Sequence, residues 1–145
     1  MGCHNNRKTG DYHCHRGKKS NSNSSGHSLK GENHYNKALA KHLGGQTEVT
    51  INYDYNISGS LPASAGIRVD IVTSEYVIEG GLDKRSSLDS IQQAVFASAL
   101  SGKKPAVAIY DTNGLWGKYE HRIWTAAKKL GIKFIWVSNN KIIEK

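Results

Sequence analysis

Two groups of residues in this chain have the types and the spacing for chemistry. The first is a pair of carboxylates, Asp70 and Glu79, carried on the apolar runs IRVDIVT (67–73) and YVIE (76–79) with only Ser74 and Glu75 between them. A two-residue turn there places Thr73 opposite Tyr76, Ile71 opposite Ile78 and Asp70 opposite Glu79. Like charges directly opposed on paired strands destabilise the pair, their Cβ atoms being about 4.5–5.5 Å apart. A sheet that keeps such a pair beside Val69, Ile71, Val77 and Ile78 is expected to hold a cation between them. Two carboxylates that near to one another suit Mg²⁺ or Mn²⁺, which commonly take one or two carboxylates and complete their shells with water and phosphate oxygens. The competing expectation is a register shifted by one residue, or one of the two acids turned to solvent.

The second group is at the N-terminus, where GCHNNRKTGDYHCHRG holds two Cys and three His within thirteen residues. Cys3, Cys14, His4, His13 and His15 offer more than the four ligands of a structural zinc site. Neighbouring residues seldom all bind one ion, so Cys3, Cys14 and two of the histidines form the expected set. A Cys3–Cys14 disulfide in an exported protein is the alternative.

The elements that must position these groups fall into a head, a linker and a body. Residues 1–30 carry six cations and one anion, whereas the other 115 of the 145 residues carry fourteen and eleven. Arg7, Lys8, Arg16, Lys18 and Lys19 give the head its charge, and the whole chain is formally +8, which favours a polyanionic partner. KKSNSNSSGHS is too poor in apolar area to offset ordering entropy, so 18–30 reads as a flexible linker between a Cys/His segment (1–17) and one domain (31–145). There is no run of 18 apolar residues and no apolar stretch after Met1, so no membrane partner is expected. As written the chain reads as cytoplasmic, or as exported if a leader has been removed.

Within the body, Tyr35, Ala38, Leu39 and Leu43 have helical spacing closed by Gly44-Gly45, and 47–57 alternates as a strand with one wet face. GSLPASAG (59–66) reads as a loop, 67–73 and 76–79 as the hairpin, and Gly80-Gly81 as a break. Ser86 or Ser87 is the expected N-cap of a helix with Leu88, Ile91, Val95 and Ala99 on its inner stripe, ended by Gly102. A strand (105–111), a helix (115–130) and a last strand (132–137) follow. The expected fold is α/β: a mixed sheet of about five strands flanked by helices, in the order αβββαβαβ. Tyr119 and Glu120 read as surface or packing residues, and His34, His42 and His121 as residues without a chemical role.

With these residues in place, IRVDIVTSEYVIEGG and SLDSIQQAVFASALSGKKPAVAIYD resemble the core of the PD-(D/E)XK nucleases over about residues 31–138. The resemblance implies a restriction-endonuclease-like fold and metal-dependent hydrolysis of phosphodiesters, DNA being the expected substrate and RNA the other possibility. It implies Asp70 and Glu79 as Mg²⁺ or Mn²⁺ ligands, Glu32 as an additional acid on the leading helix, and Gln93 as the glutamine on the helix after the acidic strand. The family's lysine, two positions after the second acid, is replaced here by Gly81. Lys84 is the expected substitute, with Arg85 beside it for the nucleic acid. Two further possibilities stand beside the nuclease: a nucleic-acid-binding module that keeps the fold without catalysis, and an adaptor that contacts another protein through its zinc head. The head resembles a short CH…KTG-YHCH segment attached to various bacterial secreted or nuclease-like proteins. Oligomeric state is not legible.

Overall fold

A computed structural model describes residues 30–56 and 62–145, and within the head the backbone of two short strands, Cys3–Asn5 (β1) and Tyr12–Cys14 (β2). β1 and β2 pair antiparallel, with Cys3 opposite Cys14 and His4 opposite His13. His15, residues 18–29 of the linker and the basic residues Arg7, Lys8, Arg16, Lys18 and Lys19 lie outside the described residues.

The body is α/β. Its elements are α1 (Glu32–Leu43), β3 (Gln46–Asn56), β4 (Pro62–Val72), β5 (Tyr76–Leu82), a 3-10 turn (Arg85–Asp89), α2 (Ser90–Ser101), β6 (Lys104–Tyr110), α3 (Lys118–Leu130), β7 (Lys133–Ser138) and β8 (Lys141–Glu144). One six-stranded mixed sheet runs β3-β4-β5-β6-β7-β8. Its outer pairs are antiparallel and its central β5-β6-β7 is parallel.

Helices cover both faces. Leu39 and Ala40 of α1 pack on Ile71, Ile78, Ala106, Ala108 and Ile135. On the opposite face Ala94 of α2 and Ile123 and Ala127 of α3 pack on Val107, Ile109 and Phe134. All three helices stop at a glycine in the left-handed region, Gly44, Gly102 and Gly131, where a side chain would be strained. No described helix is long and apolar enough to cross a membrane.

Four expectations change. The sheet has six strands rather than about five, because Asn139 (φ 50) and Asn140 (φ 61) form a tight left-handed turn that returns β8 along β7. Part of the expected loop 59–66 is strand, since β4 starts at Pro62, on a rung with Asn56 of β3. Gly80-Gly81 does not end β5, which continues through them to Leu82. A Cβ at Gly80 would stand 2.3 Å from Asn36 Oδ1, and one at Gly81 would stand 2.3 Å from Ser87 Oγ, so these glycines admit close neighbours.

The fourth change is in α2. Val95 and Ala99 are exposed, and the inner stripe is Ser90, Ala94 and Ala97, small residues that bring the helix near the sheet. Nor do Ser86 and Ser87 cap it. The Ser87 hydroxyl donates to the Leu82 carbonyl, and the 3-10 turn intervenes before the helix begins.

Candidate metal centre

The β4–β5 ladder is short: Ile71 pairs with Ile78 and Val72 with Val77, the register a two-residue turn dictates. Past these rungs β4 keeps only its pairing with β3, and β5 only its pairing with β6, which runs from Tyr76 to Leu82. The sheet forks there, and Asp70 and Glu79 are the first residues beyond the fork.

The pleat of β4 also breaks at Asp70. Val69 packs with Val77 and Ala97 beneath α2, yet Ile71, two residues on, packs with Leu39 and Ala40 beneath α1. A regular strand would send both to one face. The β3–β4 register is otherwise continuous, but the rung between Glu48 and Asp70 is missing and Glu48 has φ 56. A non-glycine residue there costs roughly 1–2 kcal/mol. The distortion leaves Asp70 off the β-ladder, where its Oδ2 accepts a hydrogen bond from the Gly80 N–H at 2.8 Å.

A cavity of about 340 Å³ occupies the fork, lined among others by Glu32, Arg68, Asp70, Glu79, Ser90 and Gln93. Glu32 reaches it from the first turn of α1, and Gln93 from the first turn of α2. The fork thus collects side chains from both faces of the sheet. Beneath it, the buried Tyr110 hydroxyl donates to Asn36 Oδ1, and the Tyr35 ring stacks on Tyr110 at 5.0 Å. These side chains form the floor against which Gly80 sits.

Glu79 is only 3% exposed, and its Oε1 has no hydrogen-bond partner. Burial raises its pKa, with the Asp70 charge, a hydrogen bond to Asp70 and the Glu32 charge adding to it, up to about 8. Burial also raises Asp70, opposed by the Gly80 N–H, Glu79 and Arg68. Glu32 is raised by burial and then by Asp70, and lowered by Arg68, the Leu82 backbone and Lys84. No Lys, Arg or His among the described residues comes within 4.0 Å of these three acids, the described ion pair being Lys133–Glu144. Three partly desolvated carboxylates face one cavity, and one has an unpartnered buried oxygen, but their oxygens do not all come within 4.8 Å of one another, so two of the acids rather than three are placed for one ion.

Of the residues singled out from the sequence, Glu32, Asp70, Glu79 and Gln93 line one cavity. Lys84 and Arg85 do not line it; both are exposed, at the 3-10 turn, and Lys84 acts on Glu32 only through its charge. The cation that does line the cavity is Arg68, which sequence reasoning missed although it stands two residues before Asp70 on the same strand. Position 81, the usual place of a lysine in the nuclease pattern, is closed by Ser87. Compared with known protein families, curated proteins and solved structures, the chain matches none.

Proposed function

We propose that this chain is a metal-dependent nuclease that hydrolyses phosphodiester bonds of DNA or RNA at the fork between β4 and β5. The observation that carries this reading is the convergence of Asp70, Glu79 and Glu32 with Arg68 and Gln93 on one cavity, one buried oxygen of Glu79 being unpartnered. Asp70 and Glu79 would hold Mg²⁺ or Mn²⁺, with Glu32 reaching the ion through one of its waters, and a bound ion of this kind supplies a water of lowered pKa and polarises phosphoryl oxygens. Arg68 takes the part expected of Lys84, its guanidinium offering a planar pair of donors to a phosphate. Gln93 orients water or a phosphate oxygen from the opposite wall. Glu79 has to be ionised to act, and the proton it carries below pH of about 8 leaves when a cation arrives.

The basic head supports a nucleic-acid partner. Residues 1–30 carry a net +5 (six cations less one anion), which adds salt-dependent phosphate affinity without base readout. Cys3 and Cys14 with two of the histidines are proposed to hold a structural zinc; the β1–β2 register, Cys3 opposite Cys14, brings the two cysteines together, as a disulfide would also require.

A second reading, an inactive nucleic-acid-binding module with the same fold, is favoured by position 81, where the packing of Gly81 against Ser87 leaves no room for a lysine. Incubating the full chain with linear, circular and single-stranded DNA, and with RNA, in Mg²⁺, Mn²⁺ or EDTA separates the two. Cleavage that requires metal and is lost in Asp70→Asn is the expected result. Binding without cleavage would select the second reading, and neither binding nor cleavage would defeat both.

A further inference from the structure

A second group of acids lies where the central strands end. Asp83 follows β5, Asp111 follows β6, and Glu120 stands in the first turn of α3. One carboxylate oxygen from each comes within 4.8 Å of the others. Asp111 is 7% exposed and Glu120 1%. The fold holds these acids firmly. Thr112 donates to Asp83 through its N–H (3.2 Å) and its hydroxyl (2.7 Å). Asn113 and Gly114 donate their N–H groups to Asp111 Oδ1 at 2.9 and 2.7 Å, and the Ser138 hydroxyl donates to Oδ2. The Gly117 N–H donates to Glu120 Oε2 at 3.0 Å.

The other oxygen, Glu120 Oε1, is buried with no partner. The described residues place no Lys, Arg or His within 4.0 Å of the three acids. Like charges brought together in a buried place repel and are poorly solvated, and an unpartnered buried oxygen adds to the cost. One bound cation answers both. We propose that Asp83, Asp111 and Glu120 form a second divalent-cation site, of the calcium type, which fastens the ends of β5 and β6 to the start of α3.

Calcium is favoured over magnesium on the kind of site. Ca²⁺ takes about six to eight oxygens in flexible geometry and accepts a carboxylate set already fixed by the fold. Mg²⁺ demands near-ideal octahedral geometry and keeps several waters, which suits a closed all-protein set less well. The all-oxygen ligand set excludes a thiophilic metal. The backbone donors from residues 112–114 and 117 orient the carboxylates, as outer partners do at metal sites.

The test is thermal unfolding of the chelator-stripped full chain titrated with CaCl₂, for the parent, Asp70→Asn, Glu120→Gln and Asp83→Asn. At a hundredfold excess over Kd the parent should gain roughly 10 °C in Tm. Asp70→Asn should keep most of that gain, losing only what Ca²⁺ at the fork contributes, because its change is not among Asp83, Asp111 and Glu120. Glu120→Gln and Asp83→Asn should need at least about tenfold more Ca²⁺ for the same gain. If Glu120→Gln does not fold, Asp83→Asn decides, since Asp83 is only partly buried. No calcium response in the parent, an undiminished response in Asp83→Asn, or a response lost in Asp70→Asn alone would overturn the proposal and leave the reading of the fork as it stands.

Discussion

Glu79 and Glu120 are both buried carboxylates with one unpartnered oxygen, and they are held in opposite ways. Around Glu120, backbone amides and hydroxyls from Thr112, Asn113, Gly114, Gly117 and Ser138 satisfy the other oxygens of the cluster. Around Glu79 the cradle is sparse: the Gly80 N–H holds Asp70, and a cavity of about 340 Å³ opens beside them. A closed set of acids, with every oxygen but one hydrogen-bonded, suits a structural ion. An under-ligated set at a break in the sheet has room for an ion, water and a phosphate together. Acid count does not separate the two centres, since each has three; backbone satisfaction and open volume do.

Activity separates them most. Asp70→Asn or Glu79→Gln should lower nuclease turnover by about a thousandfold or more, because the ion that activates water loses a ligand. Glu120→Gln, assayed below its unfolding temperature, should retain turnover within about threefold. Equal losses at the two centres would erase the distinction.

The next effect belongs to Arg68. Arg68→Ala should cost about a hundredfold in turnover with little change in substrate affinity, the scale of removing one donor to a developing charge. Lys84→Ala, at the exposed turn, should cost less than about tenfold. Rates for single-turnover cleavage of one labelled duplex measure both, and the reverse ranking would return the role to Lys84.

A smaller effect is in pH. Glu79 ionises ordinarily near 4.5 and in the fold near 8. Between these values the folded state holds a proton that the unfolded state has released, so metal-free stability falls as pH rises from about 4.5 to about 8. The penalty is absent below that window and complete above it. A cation must displace the same proton, so apparent Mn²⁺ affinity should rise by up to about tenfold per pH unit below 8 and level off above. Calorimetric titration across this range checks it, and a flat affinity in the parent would mean that Glu79 is no ligand.

How far these differences are legible in the sequence depends on what sets each one. The hairpin register is local: a two-residue turn at Ser74-Glu75 fixes Ile71 opposite Ile78, and from it the approach of Asp70 to Glu79 follows. The fork is not local. It arises because β4 stops pairing with β5 after two rungs while β5 stays paired with β6, and because the rung at Glu48 is broken, and strand periodicity carries neither fact. Arg68 was missed because an exposed strand cation reads as a solvated residue until the cavity is known. Glu120 left a usable sign, since it stands three and seven residues before Ile123 and Ala127 on the buried stripe of α3, where a surface acid does not belong. Gly80 and Gly81 read as a strand break because glycine serves both turns and close packing, and only Asn36, Tyr110 and Ser87 decide which.

The central claim is that Asp70 and Glu79 hold one cation at the fork, and its most direct measurement is thermal unfolding of the parent and Asp70→Asn with and without Mn²⁺, beside cleavage on the same samples. Without metal and above pH of about 8, where Glu79 has lost its proton, Asp70→Asn should be at least as stable as the parent, because the substitution removes the repulsion between two ionised carboxylates. Mn²⁺ should stabilise the parent strongly and the variant much less, and the variant should not cleave. An equal Mn²⁺ response in parent and variant, with cleavage retained, would contradict the claim and remove Asp70 from the site.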